Sequence, residues 1–147
     1  MPSRKEEVVQ AVVARLSSIG SIAGLQVVRE DGTPRYAGAG PWLHVGVGDP
    51  GEPVDVTLSP LLYQWEHPVP VTATVRGKSL SERTEDLDAL LRAVAAAIAA
   101  DRRLGDTVDW SEATSPIEED IRVEGDTPAR QARFEVLLTY DSPGPLE

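Results

Sequence analysis

The chain contains no cysteine. Disulfides, thiolate nucleophiles and thiolate metal ligands are excluded together, and no redox compartment is implied. Histidine is nearly as scarce: His44 and His67 are the only two in 147 residues. They lie far apart and no ligand-like spacing surrounds either, so no metal site is expected. Positive charge is in deficit, with 14 basic against 24 acidic residues. The imbalance is concentrated late in the chain, where residues 81–147 carry 16 acidic and 7 basic side chains, a net −9 of the total −10. Retention of a phosphate backbone therefore has little electrostatic support. Long hydrophobic runs are also missing. The best candidate, AVAAAIAA at 93–100, is bounded by Arg92 and Asp101 and falls far short of the roughly 20 residues of a membrane span. The opening MPSRKEEVV has no apolar core, so neither a secretory signal nor a membrane association is expected, and a cytoplasmic setting is.

What is present reads as a domain alternating between two periods. Ser3 followed by Glu6 forms a capping-box pattern, and Val8, Val9, Val12, Val13, Leu16 and Ile19 recur at helical spacing up to Gly20. This predicts a first amphipathic helix of four to five turns lying on a sheet. The period then shortens. Residues 25–30 read as a strand before the turn DGTP at 31–34, and WLHVGVG at 42–48 and PVDVTLS at 53–59 alternate on either side of DPGEP. Those two predict an antiparallel hairpin. Pro68 and Pro70 cannot donate ladder hydrogen bonds, so a strand carrying Val69, Val71, Ala73 and Val75 on one face is expected to begin at an edge or bulge. A second, longer helix follows, capped by Ser81 or Thr84, with Leu87, Leu91, Val94 and Ile98 as its stripe, widened by Leu90, and Gly105 as its stop. TVDW at 107–110 and DIRVEGD at 120–126 read as short strands separated by a loop. The last strand, RFEVLLTY at 133–140, places Phe134, Val136, Leu138 and Tyr140 on one face. The expected fold is α+β: a mainly antiparallel sheet of about four to six strands with two principal helices packed on one side, a single domain over 1–140 and a flexible tail at 141–147.

No constellation of catalytic residues stands out. His44 and His67 read as ordinary surface or strand-end histidines, and Glu66, adjacent to His67 on a strand, points to the opposite face. The acidic run 118–120, with Glu112, Glu124 and Asp126, lacks the spacing of a calcium loop and reads as solvated. GAGP at 38–41 and GVGDPG at 46–51 lack the residues that complete a phosphate loop and read as turns. Serines 59, 79, 81 and 111 have no nucleophile-elbow context. The expectation is a protein that is not an enzyme and uses no cofactor. Trp42, Tyr63, Trp65 and Tyr140 lie on or near the proposed strands, where they serve either as core or as interface anchors.

The order of phrases over nearly the whole chain resembles the tail terminator, or tail completion, proteins of long-tailed bacteriophages and prophages, including the minor tail protein U type. The phrases are VVQAVVARLSSI, GPWLHVGVGD, PVTATVRG, LDALLRAVAAAIAADRRLG and VEGDTPARQARFEVLLTYDSP. None is diagnostic by itself; their succession carries the likeness. The resemblance implies a hexameric ring at the head-proximal end of the virion tail, assembled in the host cytoplasm. Such a ring caps the tail tube, stops addition of tube protein and offers its other face to a head-completion or neck protein, while DNA passes through without specific binding. Carried onto this chain, it implies contact roles for Trp42, Val47, Asp49, Glu52, Tyr63, Trp65, Arg130 and Arg133. Two other readings stay open at this point: a small acyl-transfer-like enzyme, needing His44 or His67 beside an acid or serine, and a non-phage adaptor that binds a partner along a sheet edge.

Overall fold

A computed structural model describes residues 2–30, 40–122 and 127–147. Along the chain run α1 (Arg4–Ser17), β1 (Gln26–Arg29), β2 (Trp42–Val45), β3 (Asp55–Leu58), β4 (Leu61–Arg76), α2 (Leu80–Ala100), β5 (Trp110–Ala113), β6 (Ile117–Ile121) and β7 (Ala129–Ser142). The fold is α+β. Its seven strands, one more than the expected upper number, form one mainly antiparallel sheet, and both helices join a single core on one face of it. The turn expected at 31–34, the start of GAGP and the end of DIRVEGD lie outside the described residues.

Ser3 starts α1 as its sequence predicts, its hydroxyl accepting the Glu6 N–H at 3.3 Å. The Glu6 side chain does not close the box; it pairs with Arg29 of β1, Nη2 to Oε2 at 2.8 Å. That hydrogen bond holds the Glu6 carboxyl below its ordinary range. Val8, Val9, Val12 and Leu16 face the core, each contributing roughly 1.5–3 kcal/mol by leaving water. The cap of α2 differs from expectation: Ser79, not Ser81 or Thr84, accepts the Glu82 N–H at 3.1 Å. The helix begins at Leu80, so both expected caps already lie inside its first turns. Leu87, Leu90, Val94 and Ile98 are buried and Leu91 sits at the margin. The helix ends at Ala100 with Asp101 as its cap, and Gly105, at φ +69°, belongs to the turn beyond.

Two long strands organise the sheet. β4 and β7 pair over fourteen positions, from Tyr63↔Ser142 to Arg76↔Ala129. Along the other flank of β4, β2 covers residues 71–74 and β3 covers 61–64; along the other flank of β7, β5 covers 136–139 and β6 covers 129–133. The expected hairpin between 42–48 and 53–59 is therefore absent. β2 and β3 lie end to end on β4, and the hairpin is β3–β4, turning at Ser59 and Pro60. The segment between β2 and β3 runs along β4, where Gly46 N–H donates to Pro70 O and Val54 N–H to Gln64 O, both at 2.8 Å.

This path explains how two prolines sit inside a central strand. In a strand, a residue's nitrogen and oxygen point to the same side. Pro70 O accepts from Gly46, so the Pro70 nitrogen faces the flank between β2 and β3, where no ladder donor is required. Pro68 faces the same way, with Gly48 packed directly on its oxygen at φ +74°. The prolines mark a gap in pairing on one side of β4, not its entrance; the strand begins seven residues before Pro68. On the core face Trp65, His67, Val69, Val71, Ala73 and Val75 lie beside Tyr140, Leu138, Val136, Phe134 and Ala132 of β7. β7 continues to Ser142, two residues beyond the boundary expected for the tail.

Candidate functional site

Neither histidine is a surface or strand-end residue: His44 is 1% exposed and His67 fully buried. His67 sits in the core face of β4 with both ring nitrogens engaged. Val47 O can only accept, so Nε2–H donates to it at 2.7 Å, which leaves Nδ1 to accept the Tyr140 hydroxyl at 2.9 Å. Desolvation pushes the His67 pKa below its ordinary 6.5, against the hydrogen bond to Val47 that favours the charged form. The same burial pushes the Tyr140 hydroxyl up to about 12, which keeps it a donor. His67 is thus a neutral tie between two strands and a loop. A general base needs a free ring nitrogen within reach of a substrate, and this ring has both committed. Neighbouring contacts close the same corner: Trp65 Nε1 donates to Ser142 Oγ at 2.9 Å, and the Arg4 guanidinium lies 5.6 Å from the Tyr140 ring centroid.

The tie holds the segment that follows β2. Asp49 stands at its outer bend, where its carboxylate accepts the Gly51 N–H at 2.8 Å, and Asp49, Gly51 and Glu52 are exposed. From there the chain enters the β3–β4 hairpin, which projects beyond the helices. Val54, Val56, Leu58 and Leu61 are 54%, 41%, 80% and 47% exposed. Register places Val56 beside Tyr63 and Leu58 beside Leu61, so one face of the ribbon is apolar; Tyr63 packs in part against the core, and among the described residues nothing covers the rest. Isolated exposed apolar residues need no explanation, but a contiguous patch of this kind does. Sequence alternation identified Val54, Val56 and Leu58 as one face; it carried no signal that the helix layer would stop short of them.

At the other end of the sheet, charge is internally matched. Arg83 of α2, only 3% exposed, donates to Gly77 O at 2.9 Å and approaches Asp120 at 3.4 Å. Arg130 pairs with Asp120 at 3.4 Å and Glu118 at 3.6 Å, and Arg133 with Glu119 at 3.7 Å. The acidic run expected as a loop is strand β6, laid against these arginines. The helix-free face of the sheet, in contrast, gathers Asp55, Glu66, Glu112, Glu135 and Asp141 by register. Burial and the nearby Asp109 raise the Asp141 carboxyl above its ordinary value. Among the described residues no three His, Asp or Glu side chains group as a metal site, and no helix is long and apolar enough to cross a membrane.

The eight expected contact residues separate into four places. Trp42 is fully buried on the helix-free side of β2, with Arg76 5.2 Å from its ring centroid, and Trp65 is 6% exposed in the core. Neither offers surface to a partner, because each is already packed by its own chain. Val47, Asp49, Glu52 and Tyr63 belong to the loop and hairpin corner. Arg130 and Arg133 lie on β7 and are engaged by β6.

These features define a class of small α+β domain with both described helices on one face of the sheet, several carboxylates on the other and an exposed apolar hairpin. No protein-family model matches the chain, and no curated protein matches it. Among solved structures, a chain from the virion of a native gene transfer agent (GTA) particle is similar at 18% identity, covering 90% of this chain and 94% of that one, with a TM-score of 0.45. That likeness concerns the course of the backbone and decides nothing about activity.

Proposed function

We propose that this protein is a structural component of a tailed phage or prophage particle, a tail terminator whose copies close into a hexameric ring. The ring caps the tail tube at the head-proximal end, denies the next layer of tube protein its place, and presents its other face to a neck or head-completion protein. No catalytic step is involved. The single observation that carries the reading is the uncovered apolar face of the β3–β4 hairpin, a surface that a lone soluble chain gains nothing by displaying. The succession of sequence phrases set out above supplies the family. The carboxylates on the helix-free sheet face suit a surface past which DNA slides without adhering, since like charge repels phosphate. Val47, Asp49, Glu52 and Tyr63, at the root of the hairpin, are the contact residues retained; Arg130 and Arg133 pair with β6 at the other end of the sheet.

The test is assembly and its consequence. Light scattering and electron microscopy of the purified protein, alone and with tail tubes, should show closed six-membered rings, and particles lacking the protein should carry tubes of unregulated length. Tubes of normal length without it would remove the reading.

A further inference from the structure

The hairpin has a counterpart on the opposite edge of the same sheet. Between α2 and the β5–β6 connection lies an apolar groove of about 140 Å³ lined by Leu91, Val94, Ala95, Ala113, Pro116 and Phe134. A cavity of about that size accepts a benzene-sized group, so it has room for the end of one leucine side chain. We propose that the apolar face of the β3–β4 hairpin in one copy, led by Leu58, seats in this groove of the next copy. This rests on the ring reading above and names the contact that would build it.

Two observations favour a second copy as the occupant. The chain carries both halves of an apolar pair, one convex and one concave, and leaves both open. The halves lie on opposite flanks of the sheet, β3 outside β4 and β5–β6 outside β7, so one chain cannot bring its own hairpin into its own groove without unpairing its centre. A contact between two different patches is heterologous and repeats head to tail, closing a ring when the rotation allows. One such contact is small beside the roughly 1,000 Å² of a lasting interface. Closure adds a final contact at high effective concentration, so monomers and complete rings should predominate over intermediates.

The absence of native cysteine makes this directly testable. The double variant Leu58→Cys with Ala95→Cys, oxidised at high concentration, should give a ladder of linked oligomers on a non-reducing gel. Each single variant should go no further than a dimer. Val56→Cys with Ala113→Cys covers a shifted seating, since a disulfide needs Cα atoms within about 7 Å. In parallel, Leu58→Glu and Ala95→Glu should each be monomeric and should form no rings, alone or mixed, because a single intact contact does not last without closure. Both positions are exposed, and an unchanged melting midpoint verifies folding. Rings that persist in Leu58→Glu, with no ladder from either cysteine pair, would overturn the hairpin-in-groove contact and leave the ring reading standing. No ladder and no ring from the unaltered chain would remove both.

Discussion

At the scale of single residues, the most informative side chain is the one whose chemistry first suggests catalysis. His67 is spent on structure, donating to Val47 and accepting from Tyr140. Replacing it with phenylalanine leaves the buried Tyr140 hydroxyl without its partner, a loss of about 1–3 kcal/mol, and frees the half-buried Val47 carbonyl. Denaturant unfolding should register the change, together with faster amide exchange in residues 46–54. The pH dependence has a definite sign. Because the folded pKa lies below the ordinary 6.5, the folded state binds fewer protons than the unfolded one. The contribution of neutral His67 is complete above about 6.5 and is lost as pH falls through the lower folded value. Between pH 7 and 5 the parent protein should lose stability by more than the His67→Phe variant does. Parallel profiles would show that the ring is not held neutral.

At the scale of elements, local chemistry decided helix positions and tertiary pairing decided strand partners. The capping pattern at Ser3, the apolar stripes of both helices and the inward face of the last strand were readable because each depends on residues a few positions apart. Ser79, Ser81 and Thr84 all precede or enter the same apolar run, so sequence alone does not separate the Ser79 cap from the other two. Ser79→Ala should cost about 1 kcal/mol, while alanine at 81 or 84 should change thermal stability little. The false hairpin has a different origin. Turn residues at 49–53 indicate a change of direction but not which strand waits beyond it, and the free flank beside Pro68 and Pro70 is visible only once β7 occupies the other side. β6 starts three residues before the strand expected at 120–126, because its acidic residues read as solvated; it is held by its backbone ladder to β7, with arginines of β7 beside its carboxylates. Gly48 tests the loop path. A Cβ there meets Pro68 O, whereas one at Gly51 meets open space. Both have positive φ, so alanine strains each by about 1–2 kcal/mol, but only Gly48→Ala should also displace the loop and destabilise the protein well beyond that.

At the scale of the whole molecule, asymmetry is the main fact: helices on one face, carboxylates on the other, an apolar projection at one edge and an apolar recess at the opposite edge. The sequence made the layer arrangement legible through its two periodicities, but not the uncovered hairpin, because alternation reports which residues share a face and not whether anything lies over them. The burial of Trp42 and Trp65 was illegible for the same reason, each tryptophan having found its cover within the chain. Everything proposed about function requires copies to close around an opening. The most direct check is the molar mass in solution by light scattering across a wide concentration range, with and without tail tubes. The account predicts a species near six times 15.8 kDa, about 95 kDa, appearing with few intermediates. A constant mass of one chain under every condition would contradict it.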